Sequence, residues 1–442
     1  MSVICHRGQT SRPCRLVLAA LSSLLFSLPA VLHAQGLPTV KPEEAGLSSQ
    51  RLAAIGSWLR AEVAQKKIPG AVIMVARGGK VAYLDVVGQR GPDSPAPMKA
   101  DDIFRIYSMT KPIVSVAALM LVEEGRLLLD APVARYIPAF GNVKVGVEKT
   151  DASGQKTLDL VPPRRPMTVQ DLMRHTSGLT YGFFGEGMVK KLYVDNNITT
   201  LPDITNAEFA ERIATMPLAY HPGSTWDYSN STDVLGRIIE VVSGQTLYEH
   251  LKARLLDPLG MRDTSFYLPE PERQARLAEP MNDDRSIGVN APVSNPRIVG
   301  KMESAGGGLV STAPDYVRFL MMLRNGGQLD GRRYLSPRTL DFMLANHLDA
   351  GVVRTGLYLP GAGYGFGLGV AVRTSTGESA SASAVGEYTW GGAGGTYMWV
   401  DPATDLIVVF MMQSPRNRLP YRSLLRNMVY GTITEARLPA GR

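Results

Sequence analysis

Two stretches of the chain place a hydroxyl three residues before an amine: Ser108-Met109-Thr110-Lys111 and Ser153-Gly154-Gln155-Lys156. Residues three apart on a helix share a face, so a Ser and a Lys in that relation come within hydrogen-bonding reach. The N–H groups at a helix start favour developing negative charge. A lysine buried beside them is pressed toward the neutral amine, which can take a proton from serine and leave an activated oxygen nucleophile. Only the first pair has suitable surroundings. Ile113, Val116, Ala117, Met120 and Leu121 follow at i, i+3, i+4, i+7 and i+8, the spacing of a helix that buries one broad face. Pro112 tolerates only the first turn, so the helix is predicted to open near Ser108 and to stop at Gly125. Ser153 and Lys156 lie in a polar stretch without an apolar face and are read as chance. A capping serine followed by a solvated lysine would spell the same pattern, so the first pair needs support from elsewhere.

Other machinery is missing. No serine has glycine both two before and two after it, and H-E-x-x-H is absent. Beyond residue 34 the histidines are His175, His221, His250 and His347, none near another at ligand spacing, so no metal is expected. Both cysteines, Cys5 and Cys14, fall before residue 35, which leaves no disulfide, thiolate metal site or cysteine nucleophile in the remainder. No cofactor fingerprint appears at a strand-to-helix junction.

Two further features supply the support. Tyr228-Ser229-Asn230 is the only Y-x-N in the chain. A phenol beside a cation can act as general base or acid, and an amide can orient a lysine or a substrate. Trp390-Gly391-Gly392-Ala393 stands just before an apolar hairpin. Glycines let backbone approach a substrate closely, and an edge-strand N–H can serve as an oxyanion donor. Each taken alone also reads as packing: a core aromatic beside a capping Asn, and a glycine-rich turn with a core Trp.

The elements that must position these residues are partly legible. Arg51–Ala64 has the pattern of an amphipathic helix, and Gly70–Gly88 that of an apolar hairpin turning at Arg77-Gly78-Gly79-Lys80. Residues 141–166 read as a polar excursion loop. Thr168 with Asp171 forms a capping box for a helix over 169–174. Helical patterns recur over 206–215, 233–243, 247–256 and 315–324. Tyr364–Val372 reads as one glycine-interrupted strand. Thr396–Val400 and Leu406–Met412 make a hairpin, and a last helix covers 421–434. Strands at both ends with helices between predict an α+β fold: an antiparallel sheet built from both chain ends, flanked by helices, with an inserted mostly helical lobe. The lobes are expected at about 35–107 with 300–442, and about 108–299, within one domain covering 35–442.

In this order the three motifs resemble the serine β-lactamase and penicillin-binding-protein superfamily. Because the middle motif is Y-x-N, the chain is most similar to class C β-lactamases, D,D-peptidases and family VIII carboxylesterases. Ile68-Pro69-Gly70, His175-Thr176-Ser177-Gly178-Leu179, Pro222-Gly223 and Ser304-Ala305-Gly306-Gly307-Gly308-Leu309 carry the likeness over about residues 45–415. The resemblance implies Ser108 as nucleophile, Lys111 as its proton acceptor, Tyr228 as general acid/base and Asn230 as holder of the Lys111 network. It implies an oxyanion site made by the N–H groups of Ser108 and Ala393, with Trp390, Gly391 and Gly392 at the substrate. It makes the turn at His175 a structural corner, not a base. The relatives' third motif begins with Lys or His; here an uncharged indole, Trp390, removes a carboxylate anchor. Neutral esters with short acyl chains are therefore expected as substrates. A β-lactamase or D,D-peptidase, and a non-catalytic sensing module, stand as alternatives.

Composition excludes other classes. Hydrophobic residues at 45% and charged residues at 20% fit a globular chain with a large core, not a disordered or fibrous one. Arg7, Arg12 and Arg15 precede an apolar run, Leu16–Leu32, and Ala34. This is the layout of a secretory signal peptide over 1–34, so the protein is expected to be exported, to a periplasm or beyond, without a stable membrane span once the signal is removed. Removal lowers the net charge from +7 to +4 and leaves no long basic run, so nucleic acid is not an expected partner.

Overall fold

The structure, a computed structural model, describes residues 36–199, 202–287 and 291–436. The segment 1–34, read above as a signal peptide, and both cysteines lie outside those residues. The frame is a seven-stranded sheet whose neighbouring strands all run antiparallel. In chain order its strands are β1 (Gly70–Arg77), β2 (Lys80–Gly88), β3 (Tyr364–Phe366), β4 (Ala371–Arg373), β5 (Tyr388–Gly391), β6 (Tyr397–Asp401) and β7 (Leu406–Met412). In space they run β3-β4-β5-β6-β7-β1-β2, so the first strand pairs with the last, Ala71 opposite Met412 and Arg77 opposite Leu406.

Strand side chains alternate between the two faces of a sheet, and here both faces are buried. Val72, Met74 and Ala76 of β1 join Ile407, Val409 and Met411 of β7 in the larger core, with the apolar residues of α2 (Thr110–Glu123) and α5 (Ala313–Arg324). Ala71, Ile73 and Val75, with Val408, Phe410 and Met412, pack on the other face against α1 (Ser49–Ala64) and α6 (Arg418–Tyr430). Two-sided burial explains why β1 and β7 read as unbroken apolar runs.

Apart from α1 and α6, the helices named here lie in chain order between the sheet's two portions, with differences in detail from the expected pattern. Helix α2 buries every residue from Thr110 to Leu121, not one broad face. It runs between the sheet and α4 (Ser231–Ser243), and a helix enclosed on all sides is apolar all round. The stretch 141–166 is not a featureless loop: Val145–Thr150 and Lys156–Val161 pair as an antiparallel hairpin. Its tip is the turn in which Ser153 donates to Asp151 at 2.6 Å, so Ser153 and Lys156 belong to an exposed hairpin end. Tyr364–Val372 is two strands, because Gly367 and Gly369, the latter at φ +92°, turn the chain between β3 and β4.

The capping box is present and does more than start α3 (Val169–Met173). Asp171 is fully buried. It accepts from the Thr168 N–H at 3.0 Å, from Arg165 Nη1 at 2.5 Å, from Arg174 Nη2 at 3.0 Å and from Thr176 Oγ1 at 2.9 Å. Those bonds pin the corner at His175, a non-glycine residue at φ +58°. Burial alone would raise the Asp171 carboxyl, but its partners, Arg165 foremost, hold it below its ordinary value.

Asp171→Asn keeps the shape and removes the charge that Arg165 and Arg174 face, so it should cost about 3 kcal/mol. A depressed folded-state value gives stability that is present above the unfolded value of about 4 and is lost as pH falls through the folded one. Denaturant melts at pH 7 and at successively lower pH should show the gap between wild type and variant closing in acid.

Candidate active site

Ser108 sits on a single 3₁₀ turn, Tyr107–Met109, that leads into α2. The residue before it, Tyr107, has φ +44°, an uncommon conformation for a tyrosine that needs its surroundings to hold it. The neighbours fit that task. A Cβ on Gly394 would stand 2.6 Å from the Tyr107 ring, so only glycine leaves room there. Tyr316 donates its hydroxyl to the Met109 carbonyl at 2.8 Å, and Thr396 donates to the Ile106 carbonyl at 3.3 Å. The turn is thus tied to α5 on one side and to the sheet on the other.

From this turn Ser108 Oγ meets both expected partners. Lys111 Nζ donates to it at 3.3 Å, and the Tyr228 hydroxyl lies 2.6 Å away, contributed by a segment 120 residues distant. Lys111 is fully buried. Its Nζ donates to the Gly306 carbonyl at 2.6 Å and to Tyr181 Oη at 3.4 Å, and lies 4.5 Å from the centre of the Tyr228 ring. A buried amine needs such partners, and the face of an aromatic ring is one of them.

Asn230 does not hold Lys111. Its Nδ2 donates to the Thr180 carbonyl at 2.9 Å and the residue flanks the start of α4, so it fixes the segment that carries Tyr181. Tyr181 and Gly306 take the role expected of it. A second residue outside the sequence reading of the site is Asp233, buried on the first turn of α4. It accepts from Ser304 Oγ at 2.7 Å and from the Gly306 N–H at 2.9 Å, which holds the loop whose carbonyl receives Lys111. Burial raises the Asp233 carboxyl, against the pull of Lys111. The signal was available in the sequence: an acid one helical turn into an apolar helix, five residues after Tyr228, is too costly to bury without a charged neighbour.

His175 is buried beside Tyr228, their rings 4.8 Å apart, and its Nδ1 pairs with Ser229 Oγ at 3.2 Å. Burial, aided by Lys111, pushes its pKa well below the ordinary value, so the ring stays neutral and makes no bond to Ser108 among the described residues. Trp390 is also buried and packs on Tyr228 and Phe366, with centroids 5.5 and 5.3 Å apart. It is a wall of the site and lies on an inner strand, not an edge strand. At Trp390 and Gly391, however, β5 has outrun β4 and pairs only with β6, so its last residues are free on one side.

The glycines after Trp390 line the cavity and also admit close neighbours. A Cβ on Gly391 would lie 2.5 Å from Arg422 Cζ, and one on Gly392 would lie 2.4 Å from the Ile106 carbonyl oxygen. They let α6 and the Ser108 turn close on the strand. The consequence is that Ser108 and Ala393 open into one cavity, and neither backbone N–H is bonded within the chain among the described residues.

That cavity has a volume of about 1060 Å³. Phe183, Phe184, Ile198 and Phe266 of the helical lobe give it apolar surface, and Gly391, Gly392 and Arg422 line its sheet side. A nucleophile, two proton carriers and two free N–H groups beside a mostly apolar cavity can perform acyl transfer.

Residues 55–428 match the family described as Beta-lactamase. The chain belongs to the beta-lactamase family. Esterase EstB of Burkholderia gladioli is 33% identical over 386 residues, 83% of this chain and 92% of EstB. Lovastatin esterase of Penicillium rubens is 32% identical over 290 residues, 64% of this chain and 70% of that enzyme. The solved structure of EstCE1, described as a hydrolase with promiscuous acyltransferase activity, superposes with a TM-score of 0.70 at 25% identity, covering 87% of this chain and 99% of that one. The protein is a serine hydrolase of the beta-lactamase family, with esterases and acyltransferases among its homologues.

Tyr181→Phe deletes one oxygen that Lys111 Nζ reaches while keeping the ring. In a beta-lactamase-family hydrolase built this way, it should lower kcat about three- to ten-fold with an unchanged melting temperature. Steady-state kinetics beside a thermal melt checks this; an unaltered kcat would show that the hydroxyl does not hold the amine.

Proposed function

We propose that this protein cleaves carboxylic esters through an acyl-enzyme on Ser108. The observation that carries the reading is the meeting of Ser108 Oγ with Lys111 Nζ at 3.3 Å and Tyr228 Oη at 2.6 Å, with Ser108 and Tyr228 lining a large, mostly apolar cavity. Ser108 Oγ attacks the ester carbonyl and its proton passes to Lys111. The N–H groups of Ser108 and Ala393 receive the oxyanion. As the intermediate collapses, the C–O bond to the alcohol breaks and Tyr228 protonates the departing oxygen. Water then enters, the Tyr228 phenolate takes its proton as the oxygen attacks the acyl carbonyl, and collapse of that intermediate breaks the C–Oγ bond and releases the acid while Lys111 returns its proton to Ser108.

The cavity bears on the substrate. Its volume exceeds what a short acyl chain fills, which favours a bulky apolar ester over the small one expected from the sequence. Trp390 stands where related enzymes carry a cation, which favours esters over β-lactams. The protein would act outside the cytoplasm after export through the segment 1–34.

Ser108→Ala should abolish p-nitrophenyl ester hydrolysis and leave the melting temperature within a few degrees of wild type. Mass spectrometry of wild type quenched during turnover should find the acyl group on the Ser108 peptide. Retained turnover in the variant, or acyl label elsewhere, overturns the proposal. A chromogenic cephalosporin should turn over about a hundred-fold or more below the ester in kcat/KM; parity would favour the β-lactamase alternative.

A further inference from the structure

Arg422, on α6, takes no part in the steps just described, yet it touches their machinery. Its Nη2 donates to the Gly392 carbonyl at 2.6 Å and more weakly to the Thr396 carbonyl at 3.3 Å. The carbonyl of Gly392 and the N–H of Ala393 are the two ends of a single planar amide, pointing opposite ways. A cation bonded to the oxygen draws electron density through the amide and makes its N–H a stronger donor. We propose that Arg422 is a positioning residue for the oxyanion site: it fixes and polarises the Gly392–Ala393 peptide from behind. The inference rests on the ester-hydrolase reading above, in which the Ala393 N–H receives the oxyanion.

Several features point the same way. Successive residues of β5 face opposite sides of the sheet. Trp390 turns to the larger core, and Gly391 turns to α6. A Cβ at Gly391 would meet Arg422 Cζ and Nη2 at 2.5 Å and Nε at 2.9 Å, so any side chain there would displace the guanidinium. No carboxylate stands within ion-pair distance of Arg422 among the described residues. Arg426, one turn further along α6, shows the contrast: it is buried against Glu387, with Tyr397 Oη accepting at 2.9 Å. A structural arginine in this helix is neutralised by an acid. Arg422 instead has a buried Nε without a partner among the described residues, and its hydrogen bonds go to the backbone oxygens of Gly392 and Thr396, the former on the far side of the amide whose N–H is that of Ala393. Burial, to which the nearby Arg418 adds, lowers the guanidinium to about 10, so it remains charged at neutral pH.

The test compares wild type with Arg422→Gln, Arg422→Lys, Gly391→Ala and the Gly391→Ala/Arg422→Gln double variant on one p-nitrophenyl ester. Phenylboronic acid, whose adduct with the serine places an oxygen where the oxyanion forms, is the second readout. The expected result for Arg422→Gln is a kcat lowered about ten-fold with KM within two-fold, and an equal loss of boronic acid affinity. Arg422→Lys should fall between. Gly391→Ala, which displaces the guanidinium, should match Arg422→Gln alone and add little to it in the double variant. An unchanged kcat, a loss confined to KM, a kcat loss without the boronate loss, or full additivity overturns the inference. Should Arg422→Gln fail to fold in a thermal melt, Arg422→Lys and Gly391→Ala carry the same comparison. Wild type inactive on esters would end the ester reading together with this one; active wild type with an unaffected Arg422→Gln ends this one alone.

Discussion

Burying one amine organises the centre of this protein. Lys111 is enclosed on all sides, and a buried ammonium or amine without partners is costly enough to unfold a marginally stable domain. The partners arrive from separate parts of the chain: the Gly306 carbonyl from the loop before α5, Tyr181 from the segment after the His175 corner, the Tyr228 ring from the segment before α4. Asp233 faces the same group from α4 and braces the Gly306 loop as it does so. Solvating the lysine and assembling the site are therefore one event. The helical lobe cannot loosen around the cavity without separating the Lys111 amine from the partners that its own residues supply.

The sheet supplies what the helices lack, a stiff edge against which the Ser108 turn is clamped. Tyr107 is held in a left-handed conformation by glycines on two sides, Gly394 after β5 and Gly307 in the loop that binds Lys111. Strain of about 1–3 kcal/mol at such a residue survives only where packing over-determines it. Here packing does so from both halves of the molecule.

Much of this was legible from spacing alone. The Ser108/Lys111 relation, the Tyr228 motif and the capping box at Thr168 and Asp171 depend on local periodicity, and they stand where the periodicity puts them. Apolar runs at both ends foretold the sheet, because strands buried on two faces leave no polar positions. The misreadings share another cause. The hairpin at 145–161 is polar and exposed at its tip, and only Val145, Val147, Leu158 and Val161 at its base pack on the core, an alternation too short to stand out among polar and Pro/Gly residues. Asn230 was assigned to the lysine, whereas its partner, Thr180, lies far away in sequence, and the close approach of Arg422 to Gly391 and of Ile106 to Gly392 is equally remote. Long-range neighbours of small or amide side chains leave no trace in spacing. Asp233 is the intermediate case: its burial was deducible, its partner was not.

The pairing of β1 with β7 has a consequence for how the molecule comes into being. The hairpin that opens the sheet is made first by any chain emerging N-terminus first, yet its neighbour lies more than three hundred residues later. Until then β1 offers an open apolar edge, the sort of surface that recruits other strands and invites aggregation. Closure across so long a loop makes for slow folding. Such a chain spends its early life in need of shelter and cannot finish folding until its last strand has been delivered.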